Sequence, residues 1–375
     1  MSRSEAIAEK RGCKAAQRHA MTCCMLAILL LLGGGMRAYS QAQSGDANKN
    51  PVTVAPDGTV SVQEEVIPIS NLLSPEAKAY MVEHLKAMQT PAISRQENGI
   101  PIYMKPYLEQ ARAMFPVDQQ DTKIAGVHVY VFTPKEGIAA GNSHRVLINL
   151  HGGGFSGCWP GCALLESIPI AGAGKYKVIT VDYREGPEYK FPAASEDVAT
   201  VYSELLKEYK PQDIGIYGCS AGGMLTSMSM AWFEKHDLPM PGAIGIFCAG
   251  GGGVADGDSM YLSMPAGEAR TPQSFMGMVP RGYLEGTDPN DPLVQQANHL
   301  DILAKFPPTL IISGTRDMAL SNALYTNEQL DKAGVETKLM VWEGLFHGFF
   351  YNPGIPESQH AYRVITGFFD KKLGK

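Results

Sequence analysis

The sequence has few cysteines and no cluster of metal-binding residues. Its 375 residues include seven cysteines, three of which lie before residue 25. The other four form no Cys-x-x-Cys pair and have no histidine at the spacing of a zinc site, and they are Cys158, Cys162, Cys219 and Cys248. We therefore expect no metal site, and the chemistry inferred below needs no cofactor.

Charge is also scarce, and basic charge is scarcest in the main part of the chain. Charged residues make up 19% of the sequence, and the formal net charge is −6. Residues 1–40 carry six Lys or Arg and two acidic residues, so without them the net charge falls to −10. An acidic protein of this kind is a poor binder of nucleic acid, which excludes that class of partner.

No apolar run is long enough to span a bilayer. The longest at the start of the chain, Met21 to Gly35, has 15 residues and follows the basic residues Lys10 to Arg18, whereas a spanning helix needs about 20. A basic stretch, a short apolar run and small residues at Ala38 and Ser40 are typical of a secretion signal. We expect residues 1–40 to be removed and the protein to be exported, periplasmic or secreted, without stable membrane insertion; an uncleaved anchor is the alternative.

The remaining chain is predicted to be a short leader followed by one catalytic domain. Residues 41–60 are polar and show no hydrophobic periodicity, which indicates a flexible leader, and residues 61–375 form the domain. Two helices, from Ser74 and over Pro106 to Phe115, precede the sheet. A long segment rich in Gly, Met and Pro lies between two later strands, and we expect a cap built from about 74–118 and 249–306.

Strands and helices alternate through the rest of the domain. Strands are predicted at Val127–Phe132, Val146–Leu150, Val178–Tyr183, Ile214–Tyr217, Ala243–Phe247, Thr309–Ser313 and Thr337–Trp342. Helices are predicted at Ala194–Tyr209, Ala221–His236, Asn322–Ala333 and Glu357–Lys371. This alternation predicts an α/β fold, with a mostly parallel central sheet flanked by helices and a ligand site at the carboxyl ends of the strands.

A candidate nucleophile follows the strand Ile214 to Tyr217. The sequence Gly218-Cys219-Ser220-Ala221-Gly222 stands between this strand and a helical run, the context that a Gly-x-Ser-x-Gly nucleophile elbow requires. A serine hydroxyl is a weak nucleophile alone, so it needs a histidine base and a carboxylate that orients the histidine. The order along the chain should be serine, acid, histidine.

The acid and the base are predicted from the ends of two late strands. Asp317 comes shortly after Thr309 to Ser313, and His347 comes shortly after Thr337 to Trp342. Asp301 and Asp331 are rival acids, but neither directly follows a strand. An ordinary histidine base would make acylation slow as the pH falls through about 6 to 7.

A glycine-rich loop is the candidate anion cradle. His151-Gly152-Gly153-Gly154-Phe155 follows the strand Val146 to Leu150, and its backbone N–H groups are suited to a developing oxyanion. Ala221, directly after Ser220, offers a further N–H group.

These motifs resemble the hormone-sensitive-lipase-like family of α/β-hydrolases. The resemblance rests on HGGGF at 151–155, VDYREGPEYKFPAASED at 181–197, GCSAGG at 218–223, YLEGTDPNDPL at 283–293, PPTLIISGTRD at 307–317 and FHGF at 346–349. It implies an α/β-hydrolase fold with a helical cap and a carboxylesterase or lipase activity. It also implies site roles: Ser220 as nucleophile, Asp317 as acid, His347 as base, and Gly153, Gly154 and Ala221 as oxyanion donors. The residue before the nucleophile is commonly Asp or Thr in such families but is Cys219 here.

The expected partner is a small-molecule ester, and the substrate-binding residues are unknown from the sequence. Methionines are dense between Met224 and Met278, which suits a pocket for an apolar acyl group, although core packing explains those at 224–230 equally well. Asp182, Arg184 and Glu188 are interpreted as a turn network that braces the oxyanion loop.

Two alternative functions compete with the hydrolase hypothesis. Gly152 to Gly157 also fits the Gly-x-Gly-x-x-Gly pattern of a dinucleotide-binding oxidoreductase, with Asp182 as the ribose-binding acid. Such a fingerprint opens directly into a helix, and Trp159-Pro160-Gly161 makes a helix start here improbable. The second alternative is a receptor that holds a small ligand on a hydrolase fold without turnover.

The cysteines leave two disulfide pairings open. Cys158 and Cys162 flank a short turn directly after the oxyanion loop and would meet oxidising conditions after export, so we expect them to form a bridge. The rival pairing joins Cys219 to Cys248, each near the end of a strand. A third possibility is that Cys158 and Cys162 are two small apolar residues packed beside the site.

Overall fold

The structure, a computed structural model, describes residues 52–62, 65–90, 95–252, 257–276 and 282–374. The chain divides into two compact units, residues 1–67 and residues 68–375. The segment predicted as a signal, 1–40, lies outside the described residues.

The first unit contains an antiparallel hairpin of two exposed strands, β1 (Val52–Val54) and β2 (Val60–Val62). Of the segment 41–60, which was predicted to be a flexible leader, residues 41–51 lie outside the described part of the chain and residues 52–60 contain β1, the turn and the first residue of β2. Val-Thr-Val and Val-Ser-Val alternate with the period of a strand, and Gly58 takes a φ of 85° in the turn between them.

The second unit is built on an eight-stranded sheet. Its strands are β5 (Val117–Ile124), β6 (Val127–Pro134), β7 (Val146–Leu150), β8 (Lys177–Val181), β9 (Ile214–Cys219), β10 (Ala243–Phe247), β11 (Thr309–Arg316) and β12 (Thr337–Phe346). Their order is β12-β11-β10-β9-β7-β8-β6-β5, in which β6 is antiparallel to both neighbours and the other pairs are parallel. A separate two-stranded hairpin joins β3 (Gln96–Glu97) to β4 (Ile100–Pro101).

Helices cover both faces of this sheet. They are α1 (Pro75–Met88), α2 (Lys105–Met114), α3 (Gly161–Gly174), α4 (Ala193–Leu205), α5 (Ala221–Lys235), α6 (Ser259–Leu262), α7 (Met264–Glu268), α8 (Pro272–Met276), α9 (Leu300–Leu303), α10 (Leu320–Lys332) and α11 (Pro356–Lys372). Short 3₁₀ helices lie at Ile102–Met104, Ala140–Asn142, Pro211–Asp213, Gln296–Asn298 and Phe349–Tyr351. None of the helices in the described part of the chain is long and apolar enough to cross a membrane.

The central strands are continuous apolar runs in the sequence because they are buried on both faces. Every residue of β7 and β10 is buried, because helices lie on both faces of a largely parallel sheet. One face packs against α1, α2, α3 and α11, and the other packs against α4, α5 and α10. The carboxyl ends of β7, β9, β11 and β12 therefore meet at one edge, where the candidate residues lie.

Two elements differ from the sequence-based prediction. A helix start after Gly157 was judged improbable, but α3 begins at Gly161. Pro160 takes the cap position, where no backbone N–H is needed, and its carbonyl accepts from Leu164 N at 2.9 Å. Strand β5 was not predicted, because it is a mostly exposed edge strand of polar sequence. Its first residues fall inside the segment 74–118 that was assigned to the cap.

Part of the second predicted cap segment is fixed to the end of β11 and to the loop that follows it. The Ser259 hydroxyl donates to the Met318 carbonyl at 2.6 Å, and the Ser263 hydroxyl donates to the Thr315 carbonyl at 3.0 Å. Helices α6 and α7 are thus held against the residues on either side of Asp317.

Candidate active site

Ser220 stands in a strained turn between β9 and α5. Its φ is 56° and its ψ is −122°, a backbone conformation that non-glycine residues rarely adopt. A Cβ at Gly218 would lie 2.3 Å from the Leu150 carbonyl oxygen, and one at Gly222 would lie 1.8 Å from it. Glycine is therefore required at both positions, because the elbow is pressed against the end of β7.

The structure brings His347 to Ser220. The distance from His347 Nε2 to Ser220 Oγ is 2.8 Å, although 127 residues separate the two in sequence. His347 directly follows β12, and Gly348 after it takes a φ of 68° that turns the chain away. The serine hydroxyl therefore has a base within hydrogen-bonding distance.

Asp317 completes the arrangement. Its Oδ1 lies 2.7 Å from His347 Nδ1 and accepts from Ala319 N at 2.9 Å, while Oδ2 accepts from the Ser313 hydroxyl at 2.8 Å. The side chain is fully buried. The rival acids, Asp301 and Asp331, are both exposed.

The charges of this pair shift both pKa values. Burial lowers the pKa of His347, but the charge and the hydrogen bond of Asp317 outweigh burial and raise the pKa to about 9. Burial raises the pKa of Asp317, but the His347 charge and the three hydrogen bonds hold it below the usual aspartate value. Asp317 is therefore suited to remain ionised and to fix which nitrogen of His347 carries the proton.

The raised pKa of His347 changes the expected pH profile. Since His347 must be neutral to accept a proton, kcat/KM should rise with pH through a midpoint on the alkaline side of 7, above the 6 to 7 of an ordinary histidine. Asp317→Asn should move this midpoint to lower pH, because burial alone lowers the histidine pKa. Initial rates of the wild type and of Asp317→Asn from pH 5 to 10 test this assignment of the pKa. The same midpoint in both proteins would contradict it.

The oxyanion loop leaves the sheet beside the elbow. Leu150 and Gly218 are register partners in β7 and β9, so the loop and Ser220 depart from adjacent strand ends. Gly153 has a φ of 127° and Gly154 a φ of 65°, and a Cβ at Gly153 would lie 1.9 Å from the Gly157 carbonyl oxygen. Among the described residues, none accepts a hydrogen bond from the N–H of Gly153 or Gly154. The N–H of Ala221 is in the first turn of α5, where no intrahelical partner exists.

The loop is closed by the predicted disulfide. Cys158 and Cys162 are bonded, with their Cα atoms 5.4 Å apart, which confirms the expected bridge. The rival pairing is not formed, since Cys219 and Cys248 are free and buried.

The loop is braced from the segment after β8, but not by all of the residues predicted to do so. The Tyr183 hydroxyl donates to the His151 carbonyl at 2.6 Å, and Gly186 N donates to the Phe155 carbonyl at 2.7 Å. Arg184 contributes only indirectly, by bonding Asp197 and Glu196 on α4. Asp182 instead lies 2.7 Å from His128 Nδ1, and Glu188 is exposed.

The same contacts weaken the dinucleotide alternative. Asp182 is paired with a histidine rather than presented to a ribose. The N–H of Cys162, at the start of α3, is already used by the Cys158 carbonyl at 2.9 Å. The helix end that would hold a pyrophosphate is therefore partly satisfied by its own turn.

One cluster of potential metal ligands coincides with the candidate site. Single ligand atoms of Cys248, Asp317 and His347 lie within 4.8 Å of one another. Both ring nitrogens of His347 already face Asp317 and Ser220, and burial raises the pKa of the Cys248 thiol well above its usual value. The three groups are arranged for proton transfer, and both nitrogens of His347 already have partners other than a metal ion.

Glu166 is a further residue at the site, and it was not predicted from the sequence. This carboxylate lies beneath the site and accepts from Gly152 N, on the oxyanion loop, at 2.8 Å. The sequence feature that could have indicated it is a lone acidic residue in the apolar run Ala163 to Ala171, but no helix was predicted there.

With this geometry in view, comparison with known proteins defines the class. Residues 147–351 match a protein family whose description is α/β-hydrolase fold, and the match covers more than half of the chain. The chain belongs to this family, in its hormone-sensitive-lipase-like branch.

Named relatives agree with this membership. The chain is 29% identical over 233 residues to an acetyl-hydrolase of Streptomyces hygroscopicus, covering 62% of this chain and 77% of the relative. It is 25% identical over 300 residues to an esterase of Acinetobacter venetianus, covering 78% and 95%. The crystal structure of an esterase of the bacterial hormone-sensitive lipase family matches with a TM-score of 0.68 and 26% identity, covering 80% of this chain and 99% of that chain.

Proposed function

We propose that the protein hydrolyses carboxylic esters by acyl transfer to Ser220 and then to water. The observation that carries this is the chain of contacts Ser220 Oγ to His347 Nε2, 2.8 Å, and His347 Nδ1 to Asp317 Oδ1, 2.7 Å. His347 takes the proton as Ser220 Oγ attacks the ester carbonyl, and it returns that proton to the leaving alcohol. Water, deprotonated by His347, then attacks the acyl-enzyme, and His347 gives the proton to Ser220 Oγ as the acid leaves.

The oxyanion formed in each step is assigned to Gly153, Gly154 and Ala221. Support comes from the positive φ values of the two glycines and from N–H groups that no described residue occupies. Donors fixed before the reaction stabilise the developing charge without reorganisation. Asp317 orients His347 and stabilises its positive charge.

The protein is a carboxylic ester hydrolase by family and by likeness to esterases. We assign it short acyl groups, on two grounds. Relatives are named acetyl-hydrolase and acetyl esterase. In addition, we take Phe346, next to His347, as part of one wall of the acyl pocket; the rings of Tyr80 and His84 pack on it at centroid distances of 5.1 and 3.5 Å and hold that wall in place.

A panel of p-nitrophenyl esters tests this assignment. We expect kcat/KM for the acetate and butyrate to exceed that for the dodecanoate by about tenfold or more, because a pocket wall that is fixed by packing rejects added methylenes. Each ester is run in parallel with Ser220→Ala to subtract spontaneous hydrolysis. Faster turnover of the dodecanoate would overturn the short-chain assignment, and no turnover of any ester would favour the receptor alternative.

The cap is assigned to the predicted segments, with support from their contacts. His84, in the first segment, lies 3.5 Å from Glu268, in the second, and both are nearly fully buried. The two segments thus meet next to Phe346, and this pair would close one wall of the substrate pocket.

Export is proposed as well. It is supported by the basic and apolar pattern of residues 10–35 and by the Cys158–Cys162 bridge, since disulfides persist in oxidising compartments.

A further inference from the structure

Glu166, on α3, is a buried carboxylate with four hydrogen-bond donors. Its Oε1 accepts from Gly152 N at 2.8 Å and from the Tyr351 hydroxyl at 2.7 Å. Its Oε2 accepts from Asn149 Nδ2 at 2.9 Å and from Cys219 N at 3.3 Å. Only 3% of the residue is exposed.

Three of these donors belong to the three segments that carry the candidate machinery. Gly152 directly precedes the oxyanion glycines, Cys219 directly precedes Ser220, and Tyr351 lies four residues after His347. The segments are far apart in sequence, and Glu166 is bonded to all three. A Cβ at Gly152 would lie 3.1 Å from both the Cys219 carbonyl oxygen and the Tyr351 hydroxyl, so the segments are in close contact around the carboxylate.

The donors favour the ionised carboxylate. Burial raises the pKa of Glu166, and the bonds from Asn149, Tyr351, Gly152 and Cys219 lower it, so that the pKa stands at about 7. A carboxylate has about four acceptor positions, and four donors occupy them. A protonated or amide side chain would place a donor against one of these groups, of which only the Tyr351 hydroxyl can also accept.

The orientation of Asn149 is fixed, which makes the effect of an amide at position 166 specific. Asn149 Oδ1 accepts from the Thr180 hydroxyl at 2.6 Å and from the Ser167 hydroxyl at 3.2 Å. Its Nδ2 therefore points at Glu166 and cannot exchange with Oδ1 without breaking both bonds. In Glu166→Gln, the amide nitrogen would face either Asn149 Nδ2 and Cys219 N or Gly152 N and the Tyr351 hydroxyl; of these groups only the hydroxyl can also accept, so at least one donor loses its acceptor in either orientation.

We propose that Glu166 is a positioning residue that sets the oxyanion loop, the nucleophile elbow and the segment after the base as one unit. It touches neither substrate nor Ser220 Oγ, and it acts through the Gly152 and Cys219 N–H groups. The inference rests on the proposed function, because it assigns Glu166 a role in that reaction. Its loss should weaken transition-state stabilisation and leave ground-state binding largely intact.

Steady-state kinetics of Glu166→Gln and Glu166→Ala on p-nitrophenyl butyrate test this role. The active-site concentration is titrated with a phosphonate that labels Ser220, so that misfolded protein does not count. We expect kcat per labelled site to fall about tenfold in Gln and about 10²-fold in Ala, with KM changed less than about threefold, because small displacements of catalytic groups have effects of this size. Asp213→Asn is the matched control, since it makes a carboxylate-to-amide change at a buried site at the opposite end of β9; it should keep wild-type kcat.

Tyr351→Phe provides a milder variant should Glu166→Ala fail to fold. It removes one donor to Glu166, and we expect kcat to fall severalfold in the single variant. When Glu166 is already Gln, the same change should lower kcat by a smaller factor than it does in the wild-type protein. Tyr202→Phe is its control, because that hydroxyl bonds the distant Pro239 carbonyl.

Wild-type kcat per labelled site in both Glu166 variants would overturn the positioning role. That result leaves the proposed function standing as long as Ser220 is labelled. Full activity in Ser220→Ala would instead refute the proposed function, whatever the Glu166 variants do.

Discussion

Ser220→Ala should lower kcat by about 10⁶-fold while leaving the fold intact. The change removes the hydroxyl that we propose forms the acyl-enzyme, and losses of this size are typical of a nucleophile in a catalytic triad. Alanine keeps the Cβ and the same backbone strain at φ 56°, so no new clash arises at the elbow. The measurement is initial-rate hydrolysis of p-nitrophenyl butyrate, with thermal unfolding followed by circular dichroism.

Ser229→Ala is the matched control for this variant. Ser229 lies on α5 two to three turns after Ser220, is fully buried and has no hydrogen-bond partner for its Oγ among the described atoms. It should retain wild-type turnover. An active Ser220→Ala protein, free of trace wild type, would mean that another residue attacks the ester.

His347→Ala should be nearly as damaging, with kcat lower by about 10⁵-fold or more. Without a base 2.8 Å from Ser220 Oγ, the hydroxyl must lose its proton to water. Asp317→Asn should cost about 10⁴-fold, because an amide donates to His347 Nδ1 and favours the wrong tautomer. Turnover of p-nitrophenyl butyrate at fixed pH gives both values.

The combined variant gives a sharper test of this unit. Ser220→Ala with His347→Ala should be no slower than Ser220→Ala alone, because the two residues act in one step. His236→Ala, at an exposed histidine at the end of α5, should behave as wild type. Multiplying losses in the double variant would mean that His347 acts independently of Ser220.

The fold was predictable where burial is strongest. Strands such as Val146–Leu150 and Ala243–Phe247 were identified to the residue, because continuous burial leaves continuous apolar sequence. Edge strand β5 could not be identified in this way, since most of its side chains are exposed and polar. Helix α3 was not predicted, because the stretch Trp159-Pro160-Gly161 makes a helix start improbable from sequence alone; Pro160 takes the cap position, where its missing N–H costs no helical bond.

The residues of the candidate site that could be predicted are those that a local motif or the order of the strands identifies. Ser220, Asp317 and His347 follow strands whose carboxyl ends must share one edge, so their proximity followed from topology. The role of Glu166 depends on four donors from distant parts of the chain, and no local pattern encodes that. The pKa of His347 likewise depends on burial next to Asp317, which a motif does not specify.

The central claim, that Ser220 forms a covalent intermediate, is tested most directly by peptide mass spectrometry after reaction with paraoxon. In this reaction Ser220 Oγ would attack phosphorus and p-nitrophenolate would leave, giving a diethylphosphoryl ester that hydrolyses slowly. We predict one adduct per chain, on the peptide that contains Ser220, forming in parallel with the loss of esterase activity and absent from Ser220→Ala. Inhibition with the adduct on a different residue, or an unchanged adduct in Ser220→Ala, would contradict the account.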